Sequence, residues 1–73
     1  MATKHAELPI YLIGCEASAV ERELAEIKGV VRIYINPATE KAYIDFDPDV
    51  VQLAVVQQKA TELGCAVGAP IQR

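Results

Sequence analysis

Residues 30–46 of this 73-residue chain, VVRIYINPATEKAYIDF, predict two strands joined by a tight turn. Apolar and polar residues alternate within 30–36 and again within 41–46, with the period of two that a strand with one buried face requires. Between them, Asn36 and Pro37 favour a reversal of the chain. The residues predicted to point inward are Val31, Ile33, Ile35, Ala42, Ile44 and Phe46. We therefore predict a β-hairpin.

Helices are predicted on both sides of this hairpin. Apolar residues recur at helical spacing over 17–28, and Gly29 is suited to ending that helix. After the hairpin, Asp47 is the expected N-cap of a second helix over 47–63, with Pro48 in its first turn. The two inward stripes are Ala17, Val20, Leu24 and Ile27, and Leu53, Val56, Ala60 and Leu63.

The remaining segments complete a β-α-β-β-α-β order. Residues 8–13 are predicted to form the first strand and residues 65–67 a short last one. This order favours an α+β, ferredoxin-like sandwich, in which two helices cover one face of a four-stranded antiparallel sheet. We expect a single domain over 1–73, with a core of about 8–68. In this topology the loops holding Cys15 and Cys65 lie at the same end.

Composition excludes several classes of protein. The chain is 52% hydrophobic and 23% charged, which is typical of a globular domain. Its net charge of −3 argues against nucleic acid and anionic membranes as partners. No apolar run approaches the roughly 18 residues of a membrane span, and the N-terminus has no signal-peptide core. We expect a small cytoplasmic protein.

The two cysteines leave several interpretations open. A cytoplasmic location predicts that Cys15 and Cys65 are free thiols, whereas the same pair in a secreted domain would suggest a disulfide. They could equally be two small buried apolar side chains. A redox-sensing disulfide is a further alternative, and it requires Cα atoms within about 7 Å of each other.

Four stretches resemble the heavy-metal-associated domain family: Gly29-Val30, residues 36–42, residues 46–49 and Glu62-Leu63-Gly64. That family comprises small copper chaperones and the cytosolic modules of metal-pumping P-type ATPases. The resemblance covers about residues 8–68 and implies the ferredoxin-like fold predicted above. It also implies binding of a soft metal ion and a role in metal transport.

The metal-binding motif departs from the family pattern, which is Gly-Met-x-Cys-x-x-Cys. Without gaps, Ile13 and Glu16 stand where the family has its two cysteines, and Cys15 lies between them. A gapped alternative places Cys15 and Ser18 on the two positions, but it shortens the first helix. For that reason we prefer the ungapped alignment. Some plant zinc-pumping members are similar in having Glu at the second position, which implies that Glu16 is a credible ligand. Cys65 lies where the family commonly has an aromatic residue beside the metal loop.

The resemblance and the residues together predict a metal site formed by Cys15, Cys65 and Glu16. Two thiolates suit the soft ion Cu(I), which we expect first. Adding the Glu16 carboxylate, with a water molecule or His5 from an unstructured N-terminal arm, would complete a tetrahedral Zn(II) site. The expected partners are a metal-transporting P-type ATPase or another metal-binding domain. A homodimer is left open, because apolar residues flank the inward stripe of the second helix.

A second hypothesis is a metal-free protein-interaction module of the same fold. Its docking surface would be the acidic face of the first helix (Glu21, Glu23, Glu26) or the outward-facing tyrosines (Tyr11, Tyr34, Tyr43). Aromatic residues on an open sheet also bind single-stranded RNA, but the acidic balance disfavours that use. The chain has one histidine, no Ser/His/Asp set and no glycine-rich phosphate loop, so we do not expect an enzyme.

Overall fold

The computed structural model describes residues 3–72. These residues form a sheet with two helices packed on one of its faces, as the order of the predicted elements indicates. The elements are β1 (Lys4–Tyr11), α1 (Ala17–Ala25), β2 (Val30–Asn36), β3 (Lys41–Phe46), α2 (Leu53–Glu62), β4 (Ala66–Val67) and β5 (Ile71–Gln72).

Strand β1 is the centre of the sheet, whose order is β2-β3-β1-β4. On one side β1 runs antiparallel to β3, from the pair Lys4↔Phe46 to the pair Pro9↔Lys41. On its other side β1 pairs with β4 near its C-terminal end and with β5 near its N-terminal end. The predicted four-stranded antiparallel sheet is confirmed, and β5 adds a short fifth pairing that the sequence did not indicate.

The core lies between the sheet and the two helices. Both predicted helical stripes face it, with Val20 and Leu24 buried on α1 and Leu53, Val56 and Ala60 buried on α2. The largest fully buried side chains are Leu8, Ile10, Leu24, Ile44 and Val56. Burying one such side chain contributes about 1.5–3 kcal/mol relative to leaving it in water.

Strand β1 begins earlier than the sequence predicts. It starts at Lys4 rather than Leu8 and ends at Tyr11 rather than Ile13. The reason is pairing: β3 is long enough to bond β1 as far as Lys4↔Phe46, and β5 pairs with the same segment from the other side. The expectation of an unstructured arm around His5 is therefore wrong.

A β-bulge changes the exposure of Val31. The register between β2 and β3 shifts between Val30 and Arg32, so that Val30 opposes Phe46 and Arg32 opposes Asp45. The extra residue of a bulge is unpaired and leaves the alternation of the strand. Val31, predicted to point inward, is consequently 63% exposed, whereas Ile35 stays in the core.

Helix α2 begins at Leu53 with Gln52 at its N-cap position, five residues later than predicted, because Asp47 closes a turn instead of capping the helix. The Asp47 carboxylate accepts a hydrogen bond from the Asp49 N–H at 2.9 Å, and its carbonyl accepts from the N–H groups of Val50 and Val51. An aspartate bonded to the backbone two residues on is a local alternative to the helix. Within residues 3–72, neither helix is long and apolar enough to cross a membrane.

Glu21 of α1 has a structural role that the sequence did not reveal. Its carboxylate accepts a hydrogen bond from the backbone N–H of Ile35 at 2.9 Å. Strand β2 is an edge strand, and an unpaired edge N–H is a template for pairing with another chain. Glu21 therefore protects this edge rather than contributing only to an acidic solvated face.

The bulged register predicts different losses of stability for substitutions at Ile35 and Val31. Replacing Ile35 with Ala should lower the free energy of unfolding by about 2–4 kcal/mol, because it opens a cavity in the core. Replacing Val31 with Ala should lower it by less than about 1 kcal/mol, because only strand propensity is lost. Urea unfolding followed by circular dichroism measures both, and equal losses at the two positions would contradict the bulged register.

Candidate functional site

The candidate site lies where β1 ends and β4 begins. Tyr11 is paired with Ala66 there, so the loop after β1 and the loop before β4 are neighbours at one end of the sandwich. Cys15 is in the first loop and Cys65 is in the second. The sheet order therefore brings together two residues that are fifty positions apart in the sequence.

The backbones of Gly14 and Gly64 pack against each other where the two loops meet. Both glycines have left-handed backbone conformations, with φ of +90° and +98°. A Cβ atom placed on Gly64 would lie 3.3 Å from the carbonyl oxygen of Gly14, and one placed on Gly14 would lie 3.6 Å from the carbonyl oxygen of Gly64. Each cysteine directly follows one of these glycines, so the close approach of the loops also positions Cys15 beside Cys65.

Cys15 and Cys65 are joined by a disulfide, with 5.6 Å between their Cα atoms. The predicted proximity of the two residues is confirmed, but the expectation of two free thiols is not met in this structure. The Cα separation lies within the range that a disulfide spans, so the geometry permits the bond. The two residues differ in exposure, because Cys65 is 2% exposed and belongs to the core whereas Cys15 is only partly buried.

Glu16 is the third predicted ligand, and it lies next to Cys15 at the start of α1. Its backbone is extended, at the N-cap position, and its side chain makes no capping hydrogen bond to the helix. The exposed carboxylate instead accepts a hydrogen bond from the Ser18 hydroxyl at 2.8 Å. An oxygen donor is thus present in the loop that also carries Cys15.

His5, the predicted accessory ligand, is not part of this group. It lies six residues before Tyr11 on β1, which corresponds to roughly 20 Å along an extended strand. Its Nδ1 atom is hydrogen-bonded to the carboxylate of Asp45 on the neighbouring strand β3. A residue paired within the sheet does not lie beside the loop, so the structure gives no support to this accessory role.

The donor set at this end is small. Over residues 3–72 the structure contains no group of three or more His, Cys, Asp or Glu side chains placed to hold a metal ion together. The arrangement offers two sulfur atoms, with the Glu16 carboxylate nearby. The sequence carries a signal for the two glycines, because the dipeptide Gly-Cys occurs twice, as Gly14-Cys15 and Gly64-Cys65.

The disulfide should contribute to stability through the long loop that it closes. Cross-linking residues fifty positions apart restricts the unfolded chain, so we expect reduction to lower the free energy of unfolding by about 2–4 kcal/mol. Urea unfolding of the oxidised protein with and without a reductant measures this difference. A variant with both cysteines replaced by Ser is the control and should not respond to the reductant. Superimposable curves for the natural protein would contradict a closed Cys15–Cys65 bond.

Comparison with solved structures shows several similar folds. The N-terminal domain of a potential copper-translocating P-type ATPase from Bacillus subtilis, in the Cu(I)-loaded state, has a TM-score of 0.88 at 23% identity, covering 99% of this chain and 92% of that one. Oxidized MerP from Ralstonia metallidurans CH34 has a TM-score of 0.83 at 17% identity, covering 92% and 96%. A copper form of a CopA variant from Bacillus subtilis has a TM-score of 0.76 at 28% identity, covering 90% of each chain.

Comparison with family profiles identifies the chain more directly than comparison with single sequences. No curated protein sequence matches it. The profile of the heavy-metal-associated domain matches residues 14–64, which begin and end at the two packed glycines and span more than two thirds of the chain. The protein belongs to the heavy-metal-associated domain family.

Proposed function

We propose that this protein is a carrier for a soft metal ion, with Cu(I) preferred and Zn(II) second. It acts as a metal chaperone or as a cytosolic regulatory domain of a metal transporter. The observation that carries the proposal is the placement of Cys15 and Cys65 side by side at one end of the fold. Membership of the heavy-metal-associated family supports it, as do the Cu(I)-loaded and copper forms among the similar structures.

The preference for copper follows from the donor set. Thiolate sulfur is a soft ligand that selects Cu(I) among the available ions. Structural zinc sites almost always have four ligands, and here Glu16 and a water molecule would have to supply the third and fourth. Two adjacent cysteines without a third nearby nitrogen or sulfur donor in residues 3–72 therefore favour copper. Glu16 is assigned to the weaker zinc site.

Metal binding requires the reduced protein, because only thiolates can bind the ion. We propose that partly exposed Cys15 receives the ion first and that buried Cys65 completes the coordination. Thiols of a partner then attack the open side of the ion. Exchange of one ligand at a time transfers the metal without releasing it to water.

The proposed partner is a metal-transporting P-type ATPase or another metal-binding domain. Ile13, immediately before the Gly14-Cys15 pair, is 91% exposed, and Tyr11 is exposed on the adjoining strand. Apolar side chains beside a polar donor set are suited to brief docking of a protein partner. The cytosolic location fits the need for reduced cysteines and stays a prediction, as does the homodimer.

A metal-free interaction module is the second candidate, and the open face of the sheet favours it. Tyr34 and Tyr43 stack with ring centroids 6.2 Å apart, and both are exposed on the face away from the helices. Exposed tyrosines provide rigid contact area with a hydrogen-bonding tip, as protein interfaces often do. Absence of metal binding by the reduced protein would favour this candidate.

Competition titration tests the metal proposal. We expect the fully reduced protein to take one Cu(I) ion from a chelator of known affinity, and Cys15→Ser or Cys65→Ser to weaken binding by orders of magnitude, because each removes one of two soft ligands. Glu16→Gln should weaken Zn(II) binding more than Cu(I) binding.

Ser18→Ala is the matched control for these substitutions. It removes a hydroxyl near the site that donates to Glu16 rather than to either cysteine, so copper affinity should change by less than about twofold. Circular dichroism verifies that each variant is folded. Copper affinity that is unchanged in both cysteine variants would overturn the proposed site.

A further inference from the structure

We propose that Cys15 is a site of mixed-disulfide formation with low-molecular-weight thiols, and that Cys65 is the buried thiol that resolves it. Oxidation of the two thiols to the disulfide would then begin at Cys15 and be completed by Cys65. The proposal stands on three observations: the bond between the two residues, their unequal burial and the pairing of β1 with β4 that keeps their loops adjacent.

Unequal burial decides which sulfur meets a reagent from solution. Cys65 is 2% exposed and is held at the end of α2, where its N–H donates to the carbonyl of Ala60 at 3.1 Å. Cys15 is partly buried and lies in a loop between exposed residues, Gly14 and Glu16. Because thiol–disulfide exchange requires direct access to the attacked or attacking sulfur, the first step falls on Cys15.

The oxidation can be written in two exchanges with a small disulfide such as glutathione disulfide. The Cys15 thiolate attacks one glutathione sulfur, the bond between the two glutathiones breaks, and one glutathione leaves as a thiolate. The Cys65 thiolate then attacks the Cys15 sulfur and expels the second glutathione. Two electrons pass from the protein to glutathione disulfide, and the two cysteine protons end on two glutathione molecules.

The second exchange should be much faster than attack by another small thiol. The Cα atoms of Cys15 and Cys65 are 5.6 Å apart in the disulfide, and the pairing of Tyr11 with Ala66 keeps their loops adjacent. An intramolecular reaction between groups already in position has a large effective concentration. A glutathione adduct on Cys15 should therefore not accumulate in the natural protein.

This exchange also regulates the proposed metal site, an extension that rests on the proposed function. A metal ion and the disulfide need the same two sulfur atoms. Oxidation removes both thiolates at once, and the oxidised protein has no soft donor left among residues 3–72. Small disulfides would thereby control how much of the protein can carry metal.

The test uses metal-free protein, reduced and then mixed with glutathione disulfide, and reads the products by intact mass spectrometry. The natural protein should lose two hydrogen masses and show no lasting adduct. Cys65→Ala should retain one glutathione on Cys15, whereas folded Cys15→Ala should react at least about tenfold more slowly. In urea, Cys15→Ala should react readily, which shows that its remaining thiol is intact.

A second readout needs no substitution. Brief treatment of the reduced natural protein with iodoacetamide, followed by peptide mapping, should label Cys15 before Cys65. Equal labelling, equal adduct formation in the two variants, or a lasting adduct on the natural protein would each overturn the proposal. Copper is absent from both experiments, so their failure would leave the metal titration unaffected, and a failed titration would leave the exchange chemistry standing.

Discussion

The central position of β1 is the constraint on which the rest of the structure depends. This strand pairs with β3 on one side and with β4 and β5 on the other, and its inward residues Ala6, Leu8 and Ile10 are buried beneath the helices. Every other strand except β2 takes its register from it. The same strand determines the site, because the loop at its end carries Cys15 and its pairing with β4 places Cys65 alongside.

The close approach of the Gly14 and Gly64 backbones accompanies the juxtaposition of the two cysteines. Gly14 and Gly64 approach each other without side chains, and the cysteine that follows each of them is directed to the same place. A family with two cysteines in one loop can hold its ion with a single segment. In this chain the two cysteines lie in different segments, so their proximity depends on the integrity of the sheet as well as on local loop conformation.

Periodicity and topology were sufficient to predict the layer order, both helical stripes and the proximity of Cys15 and Cys65. Sequence periodicity does not reveal the long-range pairing of strands. It therefore predicts a free arm around His5, whereas the structure places His5 in β1. Periodicity also does not reveal local departures from regular strands and helices. A bulge exposes Val31, and a hydrogen bond to the Asp47 side chain forms a turn where a helix start was predicted. The oxidation state of the cysteines depends on the surrounding redox conditions and not on the fold alone.

The central claim is that two sulfurs from different loops form one soft-metal site. X-ray absorption spectroscopy at the copper edge, on the reduced protein loaded with one Cu(I) ion and no added thiol, tests it most directly. The account predicts a copper ion whose nearest neighbours are two sulfur atoms, with no histidine nitrogen signature. A single sulfur accompanied by nitrogen or oxygen ligands would contradict it.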